Sequence, residues 1–136
     1  METLYCLTFY STPNGDYREA FRIGLFRTCE EAQSVERRYR EQVSGFRDYD
    51  CEAEITPVPV IGDCSGECVY RFVGWNENKD LDEVDILDSD CYADLHQAET
   101  VLQKAQETLP RAQWALNRWI IGQCHWQDGF VRVFCE

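Results

Sequence analysis

Leu4-Tyr5-Cys6-Leu7-Thr8-Phe9-Tyr10-Ser11 (residues 4–11) and, 65 positions later, Val69-Tyr70-Arg71-Phe72-Val73-Gly74-Trp75-Asn76 (residues 69–76) are the stretches whose reading decides the fold. Both are rich in aromatic and aliphatic residues, alternate well enough for strands, and run into polar, turn-rich sequence. Downstream of each stands a helix start, Thr28-Cys29-Glu30-Glu31-Ala32 and, 66 positions on, Asp94-Leu95-His96-Gln97-Ala98. Both have capping-box form: a side-chain acceptor at the N-cap, with Glu or Gln three residues later to return the bond. The letters differ while the order of elements agrees, so the spacing predicts a diverged duplication.

Working outward, each half reads strand, strand, helix, strand. The first predicts strands at 3–11 and 17–27, with Ser11-Thr-Pro-Asn-Gly15 as the turn between them. From Glu30 to about Ser44, Ala32, Val35, Tyr39 and Val43 recur at helical spacing. Residues 51–60 resume an extended pattern, which Pro57 and Pro59 mark as an edge or an exit. The second half predicts strands at 68–75 and 83–88 and a helix striped by Leu95, Ala98, Val101, Leu102, Ala105 and Leu109. A long strand over 114–126 follows, then a tight turn at Gln127-Asp128-Gly129 and a last strand, Phe130–Phe134. The expected fold class is α+β: duplicated ββαβ units giving a six- or seven-stranded, mainly antiparallel sheet with two helices on one face. Residues 1–136 are read as a single domain of two halves, about 1–61 and 68–136, joined by the glycine-containing linker 61–67.

A chain of 136 residues with 44% hydrophobic and 13% aromatic residues can bury a real core. A net charge of -12 argues against direct binding to a nucleic-acid backbone or to an anionic membrane surface. No apolar run approaches the roughly 20 residues of a membrane span. The start lacks a basic region followed by an apolar core, so no secretory signal is expected. Eight cysteines would suit a disulfide framework in a short secreted chain. Here most lie beside aromatic and aliphatic neighbours, which predicts reduced thiols and a cytoplasmic location.

The strongest functional lead is the segment from Glu77 to Asp94, which sets eight carboxylates against Lys79 alone. Such a block must be solvated, disordered or held for something cationic. Carboxylates on alternate strand positions stand about 6.5–7 Å apart, close to the phosphate spacing of one DNA strand. Glu77, Asp80, Asp82, Glu83, Asp85, Asp88 and Asp90 are therefore the expected partner-binding residues, and the expected partner is a protein with a basic surface. The bland alternative is a solvated arm whose charges keep an edge strand from aggregating. No calcium loop fits, because Asp80-Leu-Asp82-Glu-Val84-Asp85 lacks the loop glycine and the terminal Glu.

Other chemistry is thinner. Cys64 and Cys68 form one short-spaced pair, and the second pair of a structural zinc site is missing. The histidines are His96, in a helix start, and His125, between Cys124 and Trp126; nothing fixes an orienting group for a Cys–His pair. No phosphate-cradling, dinucleotide or nucleophile-elbow motif is present, so no catalytic residue, metal or cofactor is assigned. Residues 114–121 are apolar on both strand faces apart from Asn117 and Arg118, predicting a covered central strand or a homodimer face. The expectation is a non-catalytic intracellular binding protein, in its concrete form an inhibitor that mimics nucleic-acid charge. The rival is a small-ligand or zinc-binding module, with its site near Trp126 or in the 62–68 linker.

Overall fold

The structure is a computed structural model and describes residues 2–11, 19–78, 83–128 and 131–133, with the backbone alone at 77, 78 and 83–85. Its residues group into two compact units, Thr3–Val58 with Ile120–Glu136, and Met1–Glu2 with Pro59–Trp119. We call them the aromatic unit and the acidic unit.

In the aromatic unit, β1 (Glu2–Ser11) lies between β2 (Glu19–Phe26) and β3 (Cys51–Ile61). The β1–β2 pairing is antiparallel, from Tyr5 opposite Phe26 to Ser11 opposite Glu19, with one irregularity between Leu7 and Thr8. Helix α1 (Cys29–Gln42) begins where the capping pattern placed it: the Thr28 hydroxyl accepts from Glu31 N–H at 3.1 Å. Its Ala32 and Tyr39 are buried against Leu7, Phe9, Phe21, Ile23, Phe26 and Phe46. The rings of Phe9, Phe21, Tyr39, Phe46 and Trp126 meet at centroid distances of 4.8–6.0 Å, mostly tilted or edge-to-face, which suits the ring quadrupoles.

Residues 122–125 complete this unit by running along β2. Gly122 N–H donates to Leu25 O and His125 N–H to Ile23 O, both at 2.8 Å. The approach is so close that a Cβ on Gly24 would sit 2.4 Å from Gln123 O, so only glycine fits there. The expected strand 114–126 is accordingly broken. It ends at Ile120, and Gly122 turns the chain at φ 87°, the left-handed region that glycine enters without strain. Strands β8 (Trp126–Gln127) and β9 (Val131–Arg132) then pair antiparallel about the expected turn. Gly129, Phe130 and Phe134 of that turn and last strand lie outside the described residues.

The acidic unit holds β4 (Cys68–Asn78), β5 (Glu83–Asp88), β6 (Cys91–Tyr92), α2 (Leu95–Thr108) and β7 (Gln113–Ile120), the last pairing with β4. Strand β5 folds back antiparallel on β4, from Asn78 opposite Glu83 to Val73 opposite Asp88. The register then slips by one at Ser89-Asp90, and β6 continues with Tyr92 opposite Tyr70. Ser89 fills the break: its N–H donates to Phe72 O at 3.0 Å and its hydroxyl accepts from Phe72 N–H at 2.8 Å. Helix α2 starts under the Asp94 cap, whose carboxylate accepts from Gln97 N–H at 3.1 Å.

The two-residue strand β6 was not legible beforehand. It pairs parallel with Val60 and Ile61 at the end of β3, so the strand pairing is mixed rather than antiparallel throughout. Two helices with a mixed sheet make the chain α+β. Among the described residues no helix is long and apolar enough to cross a membrane.

Candidate functional site

Three places in the fold gather chemistry. The first is the acidic strand. Asp80 and Asp82 lie outside the described residues, and Glu77, Glu83 and Asp85 are known by backbone register alone, Asp85 opposite Asn76 and Glu77 opposite Val84. Asp88 and Asp90 are exposed. Between the carboxylates, Ile86 is 68% exposed and Leu87 is 36% exposed, so β5 shows water both charge and aliphatic surface. Strand β5 also ends its strand order, with β4 as its partner.

The second place lies under that strand, within the acidic unit. A cavity of about 400 Å³ opens between α2 (Val101, Ala105, Thr108, Leu109), Phe72 of β4, Trp114 of β7, Tyr92 of β6 and the segment Leu87–Asp90. Its wall is aliphatic and aromatic, and its charged residues are Asp88 and Asp90. Phe72 and Trp114 meet edge-on at 5.9 Å. The Trp114 ring lies flat on the backbone of Gly74, where a Cβ would come within 2.5 Å of ring carbon Cζ3. Trp114 Nε1–H is buried and has no acceptor among the described residues. Leaving such a donor unpaired costs about 1–3 kcal/mol. Burial raises the pKa of the Tyr92 phenol, and the nearby charge of Asp90 adds to the shift.

The third place is a cavity of about 520 Å³ in the aromatic unit, lined by Arg38, Tyr39, Val43, Gln123, Cys124, Trp126, Gln127, Asp128 and Val133. There the Arg38 guanidinium donates to Cys124 Sγ at 3.2 Å, and the Tyr39 hydroxyl donates to Trp126 O. Burial, then the neighbouring Cys124, holds the Tyr39 phenol protonated well above its ordinary range. Asp128 caps Ser44 N–H at 2.8 Å. Residues 38 and 124 stand 86 positions apart, so no spacing in the sequence announces the pair.

The remaining candidates resolve individually. His96 is exposed in the first turn of α2. His125 is buried, with Nδ1 3.1 Å from Val133 O, and burial lowers its pKa. Cys64, buried, has its thiol and its N–H directed to the Glu2 carboxylate, while Cys68 is half-buried. Burial pushes the Cys91 thiol up to about 11 and raises Cys51 as well. Among the described residues no three His, Cys, Asp or Glu side chains gather as a metal site, and no disulfide joins the described cysteines. The cavity beneath Asp88 and Asp90 was missed in the sequence, where Val101, Ala105, Leu109 and Trp114 read as plain core. The signal available was size: Gly74 is a small residue between Val73 and Trp75 on β4. No protein-family model matches the chain, and neither a curated protein nor a solved structure shows significant similarity to it.

Proposed function

We propose that this chain is a non-catalytic binding protein that engages a basic protein partner through β5 and its acidic flanks, substituting for nucleic-acid charge. One observation supports it above the rest. An outer strand that ends at the exposed Asp88, with the exposed Asp90 just beyond it, also exposes Ile86 and Leu87, and a merely solubilising edge has no need of that aliphatic surface. Charge would steer the encounter and make it salt-sensitive, while Ile86 and Leu87 would supply the salt-insensitive part. In the same reading the chain is a diverged pair of ββαβ halves, supported by N-caps that recur 66 positions apart, and a second copy is a further candidate partner.

The test is affinity capture from the native host at low and high salt, with the chain as it stands and with Asp80→Asn, Asp82→Asn, Glu83→Gln and Asp85→Asn combined. Partners retained equally by both forms would end this reading. A second reading, a small-ligand module beside Trp126, draws on the 520 Å³ cavity of the aromatic unit. Native mass spectrometry of the freshly isolated chain separates the two by a retained organic mass.

A further inference from the structure

We infer that the cavity of the acidic unit binds a small neutral molecule, an aromatic or branched aliphatic body whose carbonyl accepts a hydrogen bond from Trp114 Nε1–H. Volume sets the scale: about 400 Å³ falls within the range of small-molecule pockets. The wall sets the body. Phe72, Tyr92, Val101, Ala105, Leu109 and Trp114 present aromatic rings from three strands and an aliphatic face of α2. A close-packed interior would have filled that space, and each lining atom that faces a void gives up dispersion contacts that an apolar body restores.

Charge decides that the ligand is neutral. Asp88 stands opposite Val73 in the β4–β5 register, so its side chain shares the sheet face of Val73 and Trp75. Phe72 and Gly74 stand on the other face, where the Trp114 ring lies. Asp90 is exposed to water, and no lining residue is Lys, Arg or His. A buried cation would meet one solvated carboxylate and a buried anion no positive charge, and an unpaired ion moved from water into such a wall is costly.

Hydrogen bonding decides which neutral class. An indole N–H donates and cannot accept, and that of Trp114 is buried with no acceptor among the described residues. Orphaned buried donors are uncommon in folded proteins, so the wall is completed by an acceptor from outside the chain. The hydroxyl protons of Ser89 and Thr108 are already given to Asp90 O and Lys104 O, at 2.7 and 3.0 Å, which leaves the indole as an open donor. A carbonyl answers it with lone pairs and brings no proton that would need an acceptor in turn.

This inference does not depend on the partner-binding reading. The probe is acetophenone, titrated calorimetrically into the full chain, with ethylbenzene as a control of equal size that lacks the acceptor. One saturable site is expected for acetophenone. Trp114→Phe keeps a ring and removes the N–H, so acetophenone should weaken by roughly tenfold relative to ethylbenzene, the change in their ratio isolating the hydrogen bond. Ala105→Leu, which grows a side chain from α2 into the space, should abolish binding of both probes. In the unaltered chain the indole proton of Trp114 should move downfield with acetophenone and far less with ethylbenzene. That resonance decides the matter if either variant fails to fold. An acetophenone-to-ethylbenzene ratio unchanged in folded Trp114→Phe would overturn the inference, as would equal movement of the indole proton by the two probes. Acetophenone binding that is absent, that survives Ala105→Leu, or that is weaker than binding of phenethylammonium or phenylacetate would overturn it too.

Discussion

The two units each pack one helix against strands and treat the space between them in opposite ways. In the aromatic unit the space between α1 and its strands is filled by rings: Phe9, Phe46 and Tyr39 contact one another, and Phe21 and Trp126 extend the stack. In the acidic unit the buried cluster is Phe72, Tyr92 and Ala98, and a cavity remains beside it. The difference can be traced to single positions. Counted from the N-caps Thr28 and Asp94, Ala105 of α2 stands at the position of Tyr39 in α1, and the missing ring leaves room. The comparison teaches that a helix packed on strands can commit the interior beneath it either to packing or to an opening.

The largest effect should come from removing a ring where the packing is full. Phe9→Ala deletes a side chain with no exposed surface that contacts the rings of Tyr39 and Phe46 and the Arg40 guanidinium. A loss of about 3–5 kcal/mol is expected in urea unfolding. Ala105→Leu in the acidic unit adds volume to existing space, so its cost should stay under about 1 kcal/mol. If the two variants destabilise equally, the contrast between a filled and an open unit is wrong.

Backbone approach gives the next test. Gly24→Ala meets the carbonyl of Gln123, a backbone atom held by the bonds of residues 122 and 125 to β2, so the C-terminal segment must move. Gly74→Ala meets the Trp114 ring, which borders open space and has somewhere to go. Both should destabilise, Gly24→Ala by about 2–3 kcal/mol and Gly74→Ala by about half that. Gly66→Ala, with nothing within 4 Å of the added carbon, is the internal control. Hydrogen exchange at the Gly122 and His125 amides should accelerate in Gly24→Ala and stay unchanged in Gly74→Ala.

Much of this was readable from the sequence because it is local. Helix α1 was expected from Glu30 and runs from Cys29, and β5 at 83–88 was placed to the residue, because capping and period are properties of neighbours. What escaped depends on partners distant in the chain. Strand β6 is two residues long and exists because Val60 and Ile61 lie beside it. The break after Ile120 lies in an apolar run that reads as continuous strand, and Gly122 is explained by the edge of β2 it reaches. Site residues divide the same way: the acidic block is visible as composition, whereas a cavity is the space left between residues of five separate elements.

The pH dependence of the aromatic unit gives a smaller effect with a definite sign. Burial lowers the pKa of His125 from 6.5, so between that value and the folded one the unfolded chain holds more protons than the folded chain. This group's contribution is therefore fully present above about pH 6.5 and is lost as pH falls below it. Urea unfolding at pH 7.5 and pH 5.5 should show the decline, and His125→Gln should flatten it.

The smallest effect compares the two helix starts. Thr28 and Asp94 make the same bond to the N–H three residues on, at 3.1 Å in each case. Replacing either by Ala should cost about 1 kcal/mol. Exchange of the caps is the finer instrument, because an N-cap carboxylate also gains from the helix dipole, by about 0.3–1 kcal/mol. The first turn of α2 carries no acid, so Asp94→Thr forfeits that whole gain. The first turn of α1 already holds Glu30 and Glu31, whose like charges oppose a third carboxylate. Thr28→Asp should then stabilise by less than Asp94→Thr destabilises, with the gap closing in 1 M salt as the charges are screened. Equal and opposite shifts at low salt would mean that the caps act through their hydrogen bonds alone, and that the difference in charge between the two helix starts carries no energy.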